Sequence, residues 1–193
     1  MTEANLGAPP VAQKDNAKIA MWLFLGGEVV FFVTLILAYV YFRLRSPADF
    51  AEVRAAINLP LIALNTVILL SSSYMLLRAV EAIRAGKSGA MRMALVATFV
   101  LGAVFLAGQA YEWSNLFADG FGIDTIFGTP FFTVTGVHGT HVLVGLIWLA
   151  VVLVSAWRGA YTEADHRGLE QFSLYWHFVD LVWGVIFVLF YLV

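Results

Sequence analysis

The chain has 193 residues, of which 61% are hydrophobic and 12% charged. A soluble domain carries about 25% charged residues, and a soluble core of this length could not hide so much apolar surface. The composition therefore excludes an ordinary soluble domain and points to a single integral membrane unit. The formal net charge of −2 comes with no basic run suited to nucleic acid. Cysteine is absent, which rules out thiolate haem ligation, iron–sulfur clusters and a cysteine-bridged copper site within this chain.

Residues 1–16 are polar and mixed in charge, and they read as a tail ahead of one domain at 17–193. The apolar run that follows is longer than a signal-peptide core and lacks a small-residue cleavage site, so it reads as a retained helix. In chain order, five apolar segments run from Ala17 to Phe42, Leu59 to Val80, Met91 to Tyr111, Phe131 to Trp157 and Leu169 to Val193. Each approaches or exceeds the ~20 residues of a spanning helix. The expected fold is all-α, a bundle of five transmembrane helices joined by polar, breaker-rich loops.

Five crossings put the termini on opposite sides. One side collects Lys14, Lys18, Arg78, Arg84, Lys87, Arg92, Arg158 and Arg167, and the other Arg43, Arg45 and Arg54. The imbalance predicts a cytoplasmic N-terminus and an outer C-terminus. Gly26, Gly27, Ser71, Ser72, Ser73, Gly102, Gly108, Gly136, Gly139 and Gly145 are expected to let helices approach closely. Trp22, Trp113 and Trp157 stand near segment ends, where tryptophan anchors to the interface.

Ionisable residues inside the apolar runs are the candidates for function. Glu28 lies in the first segment, His138 and His141 in the fourth, and His177 and Asp180 in the fifth. At ~1.5 Å per residue they fall about 10–17 Å from the end at which each helix enters, and the alternating topology brings them together near mid-bilayer. Each such charge costs roughly 2.5–3.5 kcal/mol on insertion scales. Glu28, His141, His177 and Asp180 are expected to share a polar layer between helices, with at least two within hydrogen-bond reach of each other. Three roles fit such a layer. His138/His141 and His177/Asp180 at i, i+3 could ligate a metal or haem. Buried acids could mark a proton pathway. The groups could also hold helices together or meet lipid headgroups. Gln109, Asn65 and Thr66 are expected to hydrogen-bond between helices, and Glu112, Glu170 and His166 to be solvated.

The stretches MWLFLGGEVVFF, LNTVILLSS, GQAYEW, FFTVTGVHGTHVLVG and YWHFVDLVWGVIFVLFYLV occur in the five segments in that order. Together they resemble subunit III of the haem–copper oxidases, in the five-helix form found in bacteria. The resemblance implies a bacterial plasma-membrane protein and an accessory subunit of a proton-pumping terminal oxidase that reduces oxygen to water. It implies that this chain carries no haem or copper, which belong to partner subunits. It also implies packing on subunit I in a complex with subunit II, and bound phospholipid in a cleft. Glu28 matches the family's carbodiimide-reactive membrane glutamate. The resemblance points to cytochrome c as electron donor, with a quinol oxidase or a nitric oxide reductase-associated subunit as alternatives. A stand-alone haem-binding anchor or proton transporter is the reading from a different class.

Overall fold

The structure is a computed structural model that describes residues 10–193, with side chains from residue 16 onward. Six α-helices follow one another: α1 (Pro10–Arg45), α2 (Pro47–Ala56), α3 (Leu59–Arg84), α4 (Ser88–Ala118), α5 (Gly128–Trp157) and α6 (Arg167–Ile186). The last continues into a π-helical stretch, Phe187–Leu192. Five of these helices are long and apolar enough to cross a membrane. The all-α, five-span architecture expected from hydropathy is therefore the one observed.

The helices overrun the apolar segments, α1 and α4 at both ends and α3 and α5 at one, because hydropathy falls before the backbone leaves the helix. α1 already begins at Pro10, inside the stretch expected to be tail; residues 1–9 lie outside the described residues. α4 runs on through Glu112 to Ala118. The first loop, expected to be a polar connection, folds into α2. Pro47 opens this helix, where a missing N–H costs nothing. Phe50 and Val53 turn inward from it.

Three of the long helices end the same way. Gly86, Gly120 and Gly159 adopt positive φ, of 70°, 89° and 77°, a conformation a side chain would strain. After α3, Lys87 N–H reaches Ala82 O at 2.8 Å and Gly86 N–H reaches Ile83 O at 2.9 Å. This pair of bonds is the Schellman arrangement, repeated by Phe121 and Gly120 after α4 and by Ala160 and Gly159 after α5. The chain can thus turn in a few residues and send the next helix back antiparallel. α3 and α4 are the most closely packed pair.

Helices α3, α4, α5 and α6 form the bundle, and α1 lies against α5 and α6. At its centre Trp176 of α6 fits between two glycines. A Cβ added at Gly102 would stand 2.9 Å from the indole, and one at Gly145 2.8 Å. Gly108 takes the Asn65 side chain in the same manner, at 2.7 Å. These small residues do admit close neighbours. Gly26 and Gly27 on α1 instead face open space within the chain. Trp22 and Trp157 are exposed, as anchors should be, whereas Trp113 is partly buried and packs on Phe132.

At one end of the bundle arginines hold the last turns of the chain. Arg43 of α1 donates to Leu189 O at 2.7 Å, and Arg54 of α2 donates to Leu192 O at 2.6 Å and to Val193 O. Tyr39 stacks on Phe190 at 3.5 Å between ring centroids. At the opposite end Arg84 of α3 pairs with Glu170 of α6 at 2.6 Å.

Candidate polar sites within the membrane spans

The ionisable residues fall into two separate clusters and one isolated ring. The first cluster joins α1 to α5. His141 Nε2 stands 3.1 Å from Glu28 Oε2, and His141 Nδ1 lies 2.8 Å from Val137 O, one turn back on α5. A carbonyl only accepts, so Nδ1 carries a proton. The contact between Nε2 and the carboxyl then holds one further proton, shared between an acid and a base. Phe32 packs edge-on against His141, with centroids 5.0 Å apart. Tyr175 of α6 donates to His141 O at 2.9 Å, tying the third helix to the pair.

The second cluster joins α3 to α6. Ser73 Oγ contacts His177 Nδ1 at 3.0 Å and donates to Asp180 Oδ2. His177 and Asp180 share one face of α6 through their three-residue spacing, and α3 supplies the serine between them. Asp180 is 5% exposed, and its second oxygen, Oδ1, is buried without a partner.

His138 belongs to neither cluster. Its ring lies nearly parallel to Trp183, 5.2 Å between centroids, with Phe105 and Phe32 edge-on around it. Both nitrogens are buried and unpartnered. The i, i+3 relation to His141 therefore does not bring the two imidazoles to one centre. Among the described residues no three His, Asp or Glu side chains are grouped so as to hold a metal ion.

Most hydroxyls return to a carbonyl of their own helix, but several uncharged polar residues bond between helices. Asn65 Nδ2 donates to Phe105 O at 2.9 Å. Thr66 Oγ1 accepts from Trp183 Nε1 at 3.0 Å, and Ser72 Oγ accepts from Trp176 Nε1 at 3.0 Å. Each bond takes an indole donor from α6 to a hydroxyl on α3, so the tryptophans that fill the core also fix the rotation of their helix.

Glu112 overturns the expectation of a solvated helix end. It is 1% exposed: α4 continues past it, and Asn58 at the start of α3 and Tyr191 from the end of the chain lie beside it. Its Oε2 is unpartnered, as are both side-chain polar atoms of the buried Gln109 one turn earlier and the Tyr191 hydroxyl. Sequence spacing could have flagged Gln109 and Glu112 as one helix face, but their burial depends on the π-helical end of the chain, which delivers Tyr191. His166 is also less free than expected. It stands at the start of α6, with Nε2 3.3 Å from Glu170 Oε1.

Comparison with known proteins gives the same direction throughout. The family profile described as cytochrome c oxidase subunit III matches residues 1–193. The chain is 39% identical over 183 residues to a cytochrome c oxidase subunit 3 of Synechocystis, covering 92% of this chain and 76% of that protein. It is 34% identical over 180 residues to a cytochrome c oxidase subunit 3 of Bacillus subtilis, covering 92% and 86%. It is 33% identical over 178 residues to a cytochrome bo(3) ubiquinol oxidase subunit 3 of Pseudomonas aeruginosa, covering 92% and 85%. Five spans and bacterial relatives of this kind describe a multi-pass protein of the plasma membrane. The chain belongs to the cytochrome c oxidase subunit III family and is an oxidase subunit III.

Proposed function

We propose that this subunit is the cofactor-free, non-catalytic third subunit of a proton-pumping terminal oxidase, packed directly on the haem- and copper-bearing subunit I in a complex that includes subunit II. The orientation proposed from the Lys/Arg distribution has a cytoplasmic N-terminus and an outer C-terminus. Residues 17–193 act as one domain behind a short polar tail. Glu28, His138, His141, His177 and Asp180 are structural or proton-related groups rather than ligands.

The observation that carries this reading is the pairing of the two clusters. Glu28 is already engaged by His141, and His177 and Asp180 by Ser73. Groups committed to one another in this way stabilise helix contacts and offer no convergent ligand set. Phospholipid contact and support of proton uptake at subunit I follow the family pattern, with Glu28 the residue assigned to them.

Cytochrome c is the proposed electron donor, after the relatives named as its oxidases. The ubiquinol oxidase relative supports quinol as the second reading.

Purifying the tagged chain from its native membrane tests the reading. The expected result is co-isolation of haem–copper subunits, with a Soret band from the complex and none from the chain alone. Isolation of the chain by itself, or with its own haem, overturns it. In the complex, Glu28→Gln is expected to lose activity faster during turnover; unchanged lifetime and pumping would remove Glu28 from proton uptake.

A further inference from the structure

The Ser73–His177–Asp180 cluster does not close on itself. It lies along a groove of about 630 Å³ on the outside of the bundle, between α3 and α6, lined otherwise by apolar residues such as Leu70, Leu181 and Val188. Gly184 lies one turn beyond Asp180 and adds no side chain, and a Cβ there would meet nothing within 4 Å.

A missing partner shows at His177. Its Nδ1 meets Ser73 Oγ, and among the described residues its Nε2 has no hydrogen-bond partner. Whichever nitrogen carries the imidazole proton, Nε2 either donates or accepts, and a polar atom left without a partner against hydrocarbon is costly.

Depth decides between a lipid headgroup and a protein. His177 and Asp180 lie about 15 and 20 Å along a helix of about 39 Å. Headgroups begin some 15 Å from the midplane of a bilayer whose core is ~30 Å thick. A phospholipid in this groove would offer methylenes at the level of His177, and methylenes neither donate nor accept.

We propose that the α3/α6 groove is the seat of a transmembrane helix of another oxidase subunit, which presents a hydrogen-bonding side chain to His177 Nε2 at mid-bilayer. The small side chains of Ser73 and Gly184 let that helix approach closely, as small residues do at membrane helix contacts. The proposal rests on the accessory-subunit reading above and adds to it the face that docks.

The test uses the intact oxidase purified through this chain. A photoreactive benzophenone side chain is incorporated at Leu181, on the groove, and the adduct is identified by mass spectrometry. The expected product joins Leu181 to a membrane span of a different oxidase subunit, and its yield falls at least several-fold in Gly184→Leu, which fills the groove from a position where a Cβ meets nothing within 4 Å. His177→Phe loosens retention of the subunit about threefold, the effect of one membrane hydrogen bond of average strength. Adducts to phospholipid alone, adducts to a second copy of this chain alone, or no adduct in an oxidase that co-purifies would each overturn the docking site. Failure of the wild-type chain to co-purify with oxidase subunits is a separate result: it removes the accessory-subunit reading, and this proposal with it.

Discussion

His141 of α5 holds Glu28 of α1 at 3.1 Å and joins α1 to the bundle in the middle of its span, as the bond from Arg43 to Leu189 O does at its end. α1 is otherwise the least buried of the five spanning helices, with 17% of its most apolar window inside the protein. The pair thus does more for the placement of its helix than a similar contact would in the core. Glu28→Gln keeps a side-chain N–H to give to Nε2, whereas Glu28→Ala leaves the imidazole without a partner. We expect Gln to change stability by less than about 0.5 kcal/mol and Ala to cost about 1–2 kcal/mol. Thermal unfolding of the two variants in the same detergent checks the order, and an equal loss in both would show that hydrogen bonding is not what holds α1.

The Trp176 seat sets a second expectation. Gly102 and Gly145 approach the indole so closely that a single methyl has nowhere to go, and overpacking of this kind costs about 1–3 kcal/mol. Gly102→Ala and Gly145→Ala should each lower the melting temperature, and Gly184→Ala, where space is open, should not. A melt series across the three alanines separates the effect of packing from that of lost glycine flexibility, since all three substitutions remove a mid-helix glycine.

Glu112 yields a third. At 1% exposure and with no cation among its contacts, the side chain has room for a neutral isostere but not for a new charge. Glu112→Gln should leave the bundle as stable as the parent. Glu112→Lys should cost at least several kcal/mol by burying an unpaired ammonium, seen as loss of the folded chain from detergent extracts. A soluble, well-folded Lys variant would mean that this end of α4 opens readily.

How far these features could be read from the residues depends on what each one needs. The five spans needed only length and hydropathy, which are local. α2 escaped notice because its inward face is just Phe50 and Val53 in a ten-residue polar stretch, too little to register as an apolar run. Depth along each helix was also legible, since it follows from residue count, and it pointed to Glu28, His141, His177 and Asp180 as groups in need of partners. Which helix supplies each partner was not. Ser73 read only as a small packing residue, because nothing in the sequence says that α3 lies beside α6. Glu112 was misread for a related reason: hydropathy drops at Tyr111, yet the helix carries on, and the side chain is covered by residues remote in sequence.

The arginines at the end of the chain give the last expectation. The last carbonyls of a helix lack intrahelical N–H partners, and the π-helical stretch ends at Leu192. Arg54 donates to two of them, those of Leu192 and Val193, and Arg43 to that of Leu189. Two of the three arginines on the side with fewer basic residues thus bond the backbone of the C-terminal helix. Charge near a helix C-terminus is worth about 0.3–1 kcal/mol at an exposed site, and the bonds of Arg54 are exposed. Arg54→Ala should therefore leave global unfolding almost unchanged while loosening the last turn. Amide hydrogen exchange should quicken over residues 187–193 and stay at parent rates in α4 and α5. Arg43→Ala, whose bond is partly buried between α1 and the π-helical stretch, should extend the faster exchange into the Tyr39–Phe190 stack. Uniform exchange across 187–193 in both variants would show that ring stacking alone holds the terminus, with the arginines as bystanders.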